Sequence, residues 1–151
     1  MASSENLSHR GLASNCFNKV WDYLDKSSLS EQEIDEMVHV AHASFWHWTQ
    51  VEDHTPQNLS IGTWQLSRVY AVAGLPERAE HFSNRCIDVS EAGDLPPFFV
   101  GYAYETAARA KALMGDANGA KGLVAKGQAL AEQVDAEEDR KALLDDLRSI
   151  S

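Results

Sequence analysis

The chain has 151 residues, the size of one domain, and can bury roughly 70% of the surface its unfolded form exposes without help from a disulfide or a metal. Its formal net charge is −10, with 13 Lys and Arg against 23 Asp and Glu and no basic run, which excludes the clustered cationic face that nucleic acid or an anionic membrane surface requires. No apolar run approaches the roughly 20 residues of a membrane span, and the opening MASSENLSHRG lacks the apolar segment of a secretory signal.

The two cysteines, Cys16 and Cys86, have no CxxC spacing and read as reduced core thiols. A cytoplasmic protein with no cofactor is expected.

Leu12, Cys16, Val20 and Leu24 recur at intervals of four and predict a first helix ending near Lys26. Ser30 and Glu33 have capping-box spacing, in which each side chain satisfies a free backbone N–H at a helix start, so a second helix should run from there to Val51. Thr55-Pro56-Gln57-Asn58 breaks that pattern. A third helix then carries Leu66, Val69, Tyr70 and Ala73 on one face up to a stop at Gly74. Pro76 opens a fourth, with Ala79, Phe82, Cys86 and Val89 aligned, ending near Gly93. Pro96-Pro97 starts a fifth, with Ala103, Ala107, Ala110 and Met114 in line before Gly115. Asp116 can cap a sixth through Ala120, Leu123, Val124, Gly127, Leu130, Ala131 and Val134, whose Gly119, Gly122 and Gly127 read as close-packing positions. Asp135 and Glu138 have capping-box spacing before a seventh with Leu143, Leu147 and Ile150. No useful stretch alternates with period two, so the fold class predicted is all-α, about seven helices in antiparallel hairpins.

Two segments share one order of features. In LSRVYAVAGLPERAEHF, Leu66 and Tyr70 precede Gly74, and Ala79 follows five positions later; in AARAKALMGDANGAKGL, Ala107 and Ala108 precede Gly115, and Ala120 again follows five later. This resembles the tetratricopeptide repeat, in which paired helices need a large and a small residue on the first, a turn, and an alanine where the second crosses. The copies here depart from it: Lys111 stands where a tyrosine is usual, and the terminal proline is missing.

The resemblance implies a single domain over 1–151, a right-handed array with a degenerate leading hairpin at 9–52, repeats at 58–93 and 96–134, and a capping helix at 137–150. A closed helical bundle is the alternative built from the same helices. It also implies a protein- or peptide-binding module whose first helices line a concave groove, either alone or as a homo-oligomer. The register places Ile61, Trp64 and Arg68, then Tyr102, Glu105 and Arg109, in that groove. Arg68 and Arg109 are expected to pair with a partner's carboxylate, so Arg68→Ala with Arg109→Ala should abolish binding and spare folding. Against this stands a plain surface pair between Glu105 and Arg109 at i and i+4.

The stretch HVAHASFWHWTQVEDH, residues 39–54, holds four of the six histidines. Helical spacing puts Ile34, Met37, Val38, Ala41, Phe45 and Trp48 on the core face and leaves His39, His42 and Trp46 on the other. His39 and His42 at i and i+3 could share an ion only with a third ligand, such as His81 or Glu105. A metal-dependent helical-bundle enzyme is therefore the alternative reading. Ordinary surface or interhelical hydrogen-bonding histidines, and a Trp46 covered by a neighbouring helix, are expected instead. No GxSxG elbow, Gly-rich phosphate loop or catalytic cysteine setting is present, so the reading is non-catalytic.

Overall fold

The structure is a computed structural model describing residues 8–150, and it is all-α. Seven helices are found among those residues: α1 His9–Leu24, α2 Glu31–Gln50, α3 Pro56–Val72, α4 Pro76–Ala92, α5 Pro97–Leu113, α6 Ala117–Ala131 and α7 Glu137–Arg148. None is long and apolar enough to cross a membrane.

Local chemistry sets the starts. Ser30 and Glu33 form the reciprocal capping box that opens α2, and Lys26 together with the Ser30 amide holds the Glu33 carboxyl down at about 2. Thr55-Pro56-Gln57-Asn58 does more than interrupt the chain. Thr55 and Asn58 cap each other and Pro56 occupies the first turn, so α3 begins there. Asp116 accepts from the Gly119 amide to start α6. The Asp135–Glu138 box does not form: Ala136 is the cap residue of α7 and offers no side-chain bond. Glu137, Glu138 and Asp139 in the first turn supply negative charge to that helix end instead.

Three helix ends share one geometry. The amides of Leu75 and Asp116 reach back to the carbonyls of Tyr70 and Lys111 at 2.9 and 3.0 Å, across Gly74 and Gly115 with φ of 79° and 83°. At the end of α4 the left-handed residue is Asp94, φ 50°, rather than Gly93, because aspartate tolerates that region.

The pairs α1/α2, α3/α4 and α5/α6 stack in chain order: α2 packs on α3, α4 on α5, and α7 closes against α5 and α6. The first helices also meet one another, α1 with α3 and α3 with α5. Among the described residues α1 and α2 do not pack on α5, α6 or α7, as they would in a closed bundle.

The core is a string of clusters rather than one mass. Val20, Tyr23, Met37, Ala41, Leu66 and Val69 join the first three helices; Tyr70, Ala71, Ala79 and Ala110 join the middle ones; Ala131, Leu143 and Leu147 seat α7. Leu143 and Leu147 are fully buried, each contributing about 1.5–3 kcal/mol. Their seats are glycines: a Cβ on Gly101 would stand 2.5 Å from Leu143 Cδ2, and one on Gly127 2.8 Å from Leu147 Cδ2. Close packing does not account for the other two glycines of α6, since Gly119 lies against its own Asp116 cap and Gly122 faces open space. Met114, at the end of its stripe, is exposed. Between layers, Ser67 donates to the Ala79 carbonyl at 2.8 Å and Thr106 to Ser67 at 2.7 Å.

Candidate binding site across the first helices

Tyr102, Glu105 and Arg109 sit at i, i+3 and i+7 on α5, and Ile61, Trp64 and Arg68 have the same spacing on α3. Each lies 41 positions from its counterpart, as Trp64 and Glu105 do when they bond. Equal turns and adjacent first helices therefore bring the two triples face to face, and the six residues divide into a cavity wall of Ile61, Trp64 and Tyr102 and a charged cluster of Arg68, Glu105 and Arg109 that does not line the cavity.

The wall is aromatic. A cavity of about 340 Å³ is lined by Trp21 of α1, Ser60, Ile61 and Trp64 of α3, Phe98, Phe99 and Tyr102 of α5, and Asp146 of α7. Trp21 stacks on Trp64 with ring centres 5.9 Å apart. Trp64 meets Tyr102 at 83°, and Phe98 meets Tyr102 at 74°. The Tyr102 hydroxyl donates to Asp146 Oδ2 at 2.7 Å. Burial first, then that carboxylate, pushes the phenol pKa well up, so Tyr102 stays a donor.

The charged cluster centres on Glu105, which has no exposed surface. Trp64 Nε1 donates to its Oε1 at 3.1 Å. Its Oε2 accepts from Arg109 Nε at 2.9 Å, lies 2.8 Å from Arg109 Nη2 and 3.5 Å from Arg68 Nη1. Arg109 Nη2 also donates to the Asp146 carbonyl at 3.2 Å and Ser149 Oγ at 3.1 Å, tying α5 to the end of α7.

Two expectations change here. Glu105 and Arg109 are not a solvated surface pair, because α3 and α7 cover them. Nor is Arg109 free for a partner's carboxylate, since Glu105 supplies one from within, whereas Arg68 reaches Glu105 only at 3.5 Å and keeps 28% exposure. Removing both would strand a buried charge, so their double substitution tests stability rather than binding.

The histidine-rich helix lies elsewhere. Met37 and Ala41 are buried as expected, while Ile34, Val38, Phe45 and Trp48 are half-buried. His42 Nε2 lies 2.7 Å from the Tyr70 hydroxyl, and its ring meets Tyr70 and Phe82 edge-on. Burial, then Arg78 and His39, lowers its pKa. His81 accepts from Arg85 Nε at 3.2 Å, and Glu105 is held as described above. No group of three or more His, Cys, Asp or Glu among the described residues could hold a metal, so His39 and His42 have no third ligand there. Trp46 is covered only in part: it is 54% exposed, and among the described residues its ring meets those of His9 on α1 and of His47 beside it.

Sequence reasoning missed Trp21, Phe98, Phe99 and Asp146. Trp21 carried a signal, a large aromatic off the Leu12–Cys16–Val20–Leu24 stripe on a first helix, as Trp64 is on α3. Phe98 and Phe99 were hidden behind the Pro96-Pro97 start, and Asp146 behind the reading of α7 as a mere cap.

Comparison with known proteins finds no relative. No family model matches the chain, and no curated protein or solved structure matches it significantly.

Proposed function

We propose that the chain is a non-catalytic, tetratricopeptide-like interaction module that holds a peptide segment of a protein partner across α1, α3, α5 and α7. One observation carries this reading. The aromatic cavity draws its lining from four helices that are not consecutive, and its volume lies in the range of small-ligand clefts. Rigid rings offer large contact area at little entropic cost, and the bond from Trp64 to Glu105, itself held by Arg109, fixes Trp64. The net charge of −10 weighs against nucleic acid. Two free thiols, one buried and one half-buried, accord with a cytoplasmic setting.

A peptide library selected on the intact protein and counter-selected on Trp21→Ala with Phe98→Ala tests this. Sequences should emerge that bind the natural chain at least about tenfold more tightly, a loss typical of an aromatic anchor. Enriched peptides that bind both proteins equally would place the interaction elsewhere. A variant that melts far below the natural chain is replaced by Ile61→Asp, which charges the same wall.

A further inference from the structure

We propose that the aromatic cavity takes an alkylated ammonium group, of the trimethylammonium kind, between its rings and Asp146. The inference rests on the cavity being the binding site, and it names the chemistry received there.

Three features point to a cation. Trp21, Trp64, Phe98 and Tyr102 line one half-open cavity, with Trp21 stacked on Trp64 and both Trp64 and Phe98 set near-perpendicular to Tyr102. Aromatic rings attract cations through their quadrupole, and an enclosure of several rings multiplies the effect. Asp146 adds formal charge: Tyr102 occupies Oδ2, and no described residue bonds Oδ1. Arg68 and Arg109 do not line the cavity, and both are paired with the buried Glu105, at 3.5 and 2.8 Å, which offsets their charge. The chain as a whole, at −10, raises the local concentration of cations.

The walls also choose which cation. A primary ammonium carries three N–H donors and a guanidinium five. Besides Asp146 the cavity presents rings, the Ile61 side chain and two hydroxyls, that of Tyr102, which is engaged with Asp146, and that of Ser60, which is paired at 2.7 Å with Ser90. Burying unmet donors there is costly. A permethylated nitrogen has no donors and spreads its charge over methyl groups that fit against rings. The same chemistry is offered by a free small molecule such as choline and by a trimethylated lysine side chain.

Calorimetric titration of the full chain compares choline with dimethylbutanol, its uncharged carbon isostere, and a trimethyllysine peptide with the unmodified lysine peptide, at matched ionic strength. Saturable binding is expected for the quaternary ammonium, at least about tenfold tighter than for the isostere or the unmodified lysine. Choline binding as well as the peptide identifies a free ammonium as the ligand; a peptide much tighter than choline identifies the side chain. Asp146→Asn, which keeps the Tyr102 bond in place, should weaken either by several-fold, and Trp21→Leu should remove it. Equal binding of dimethylbutanol, absence of saturation by both ammonium probes, or undiminished binding by a well-folded Trp21→Leu would overturn the proposal. Should Trp21→Leu fold poorly, the isostere comparison on the natural chain decides alone. Library peptides that need the cavity but are not displaced by choline would sink this inference and leave the peptide-binding reading standing; choline binding with no peptide selected would do the reverse.

Discussion

Replacing Arg109 by alanine is the sharpest test of the charged cluster around Glu105. The guanidinium makes a two-nitrogen contact with Glu105 Oε2 at 2.9 and 2.8 Å and holds the α7 terminus through the Asp146 carbonyl and Ser149. Glu105 has no exposed surface and cannot turn to water. Breaking a buried pair by removing one partner costs about 3–5 kcal/mol. Arg109 keeps 18% exposure and Arg68 remains 3.5 Å away, so the lower end applies, about 3 kcal/mol. For a domain of this size that lowers the melting temperature by roughly 6–12 °C. Adding Glu105→Gln should recover about half of the loss, because it removes the stranded charge and keeps an acceptor for Trp64. Arg68→Ala should cost about 1 kcal/mol, its contact being longer and wetter. Urea unfolding of the four proteins measures all of this. An Arg109→Ala loss below about 0.5 kcal/mol, the scale of an exposed pair, would refute the buried-lattice account.

Acidification should destabilise the fold before the carboxylates titrate. The lowered pKa values of His42 and His47 mean that the unfolded chain binds more protons than the folded one below about 6.5. Stability should therefore fall as pH drops through that value, and His42→Gln should flatten the melting-temperature profile between about pH 7.5 and 5.5; an unchanged slope would remove His42 from the account. Gly101→Ala, which drives a methyl toward Leu143, should cost about 1–3 kcal/mol, whereas Gly122→Ala, into open space, should stabilise by about 0.5–1 kcal/mol. Denaturant midpoints check both signs. Cys86 is buried with its thiol pKa pushed up by that burial, so a thiol reagent should label Cys16 well before Cys86; equal rates would contradict the burial.

The helices were legible because their punctuation is local. Ser30 with Glu33, Pro76, Pro96-Pro97, Gly74, Gly115 and Asp116 each act within a few residues of where they stand. The Asp135–Glu138 pair has the same spacing yet forms no cap, since spacing does not say where a helix begins; here it begins at Glu137. The triples on α3 and α5 could be placed on one face by their period. That Glu105 would be sealed beneath Trp64 and Arg109 could not, because the cover comes from α3 and α7, remote in sequence. Trp46 stays 54% exposed with His9 of α1 against its ring, because how far a helix covers it depends on which helix faces are left over after all pairs have stacked.

The stepwise stacking of the helices has a mechanical consequence. Elements that touch only their neighbours can come apart from an end, so α1 and α2 can open as a unit against α3 while the rest persists. Trp21 belongs to that unit and Asp146 to the opposite terminus, yet both line the same hollow. A molecule seated there would act as a rivet through the pile, joining ends that share no backbone contact and making separate openings into a single event.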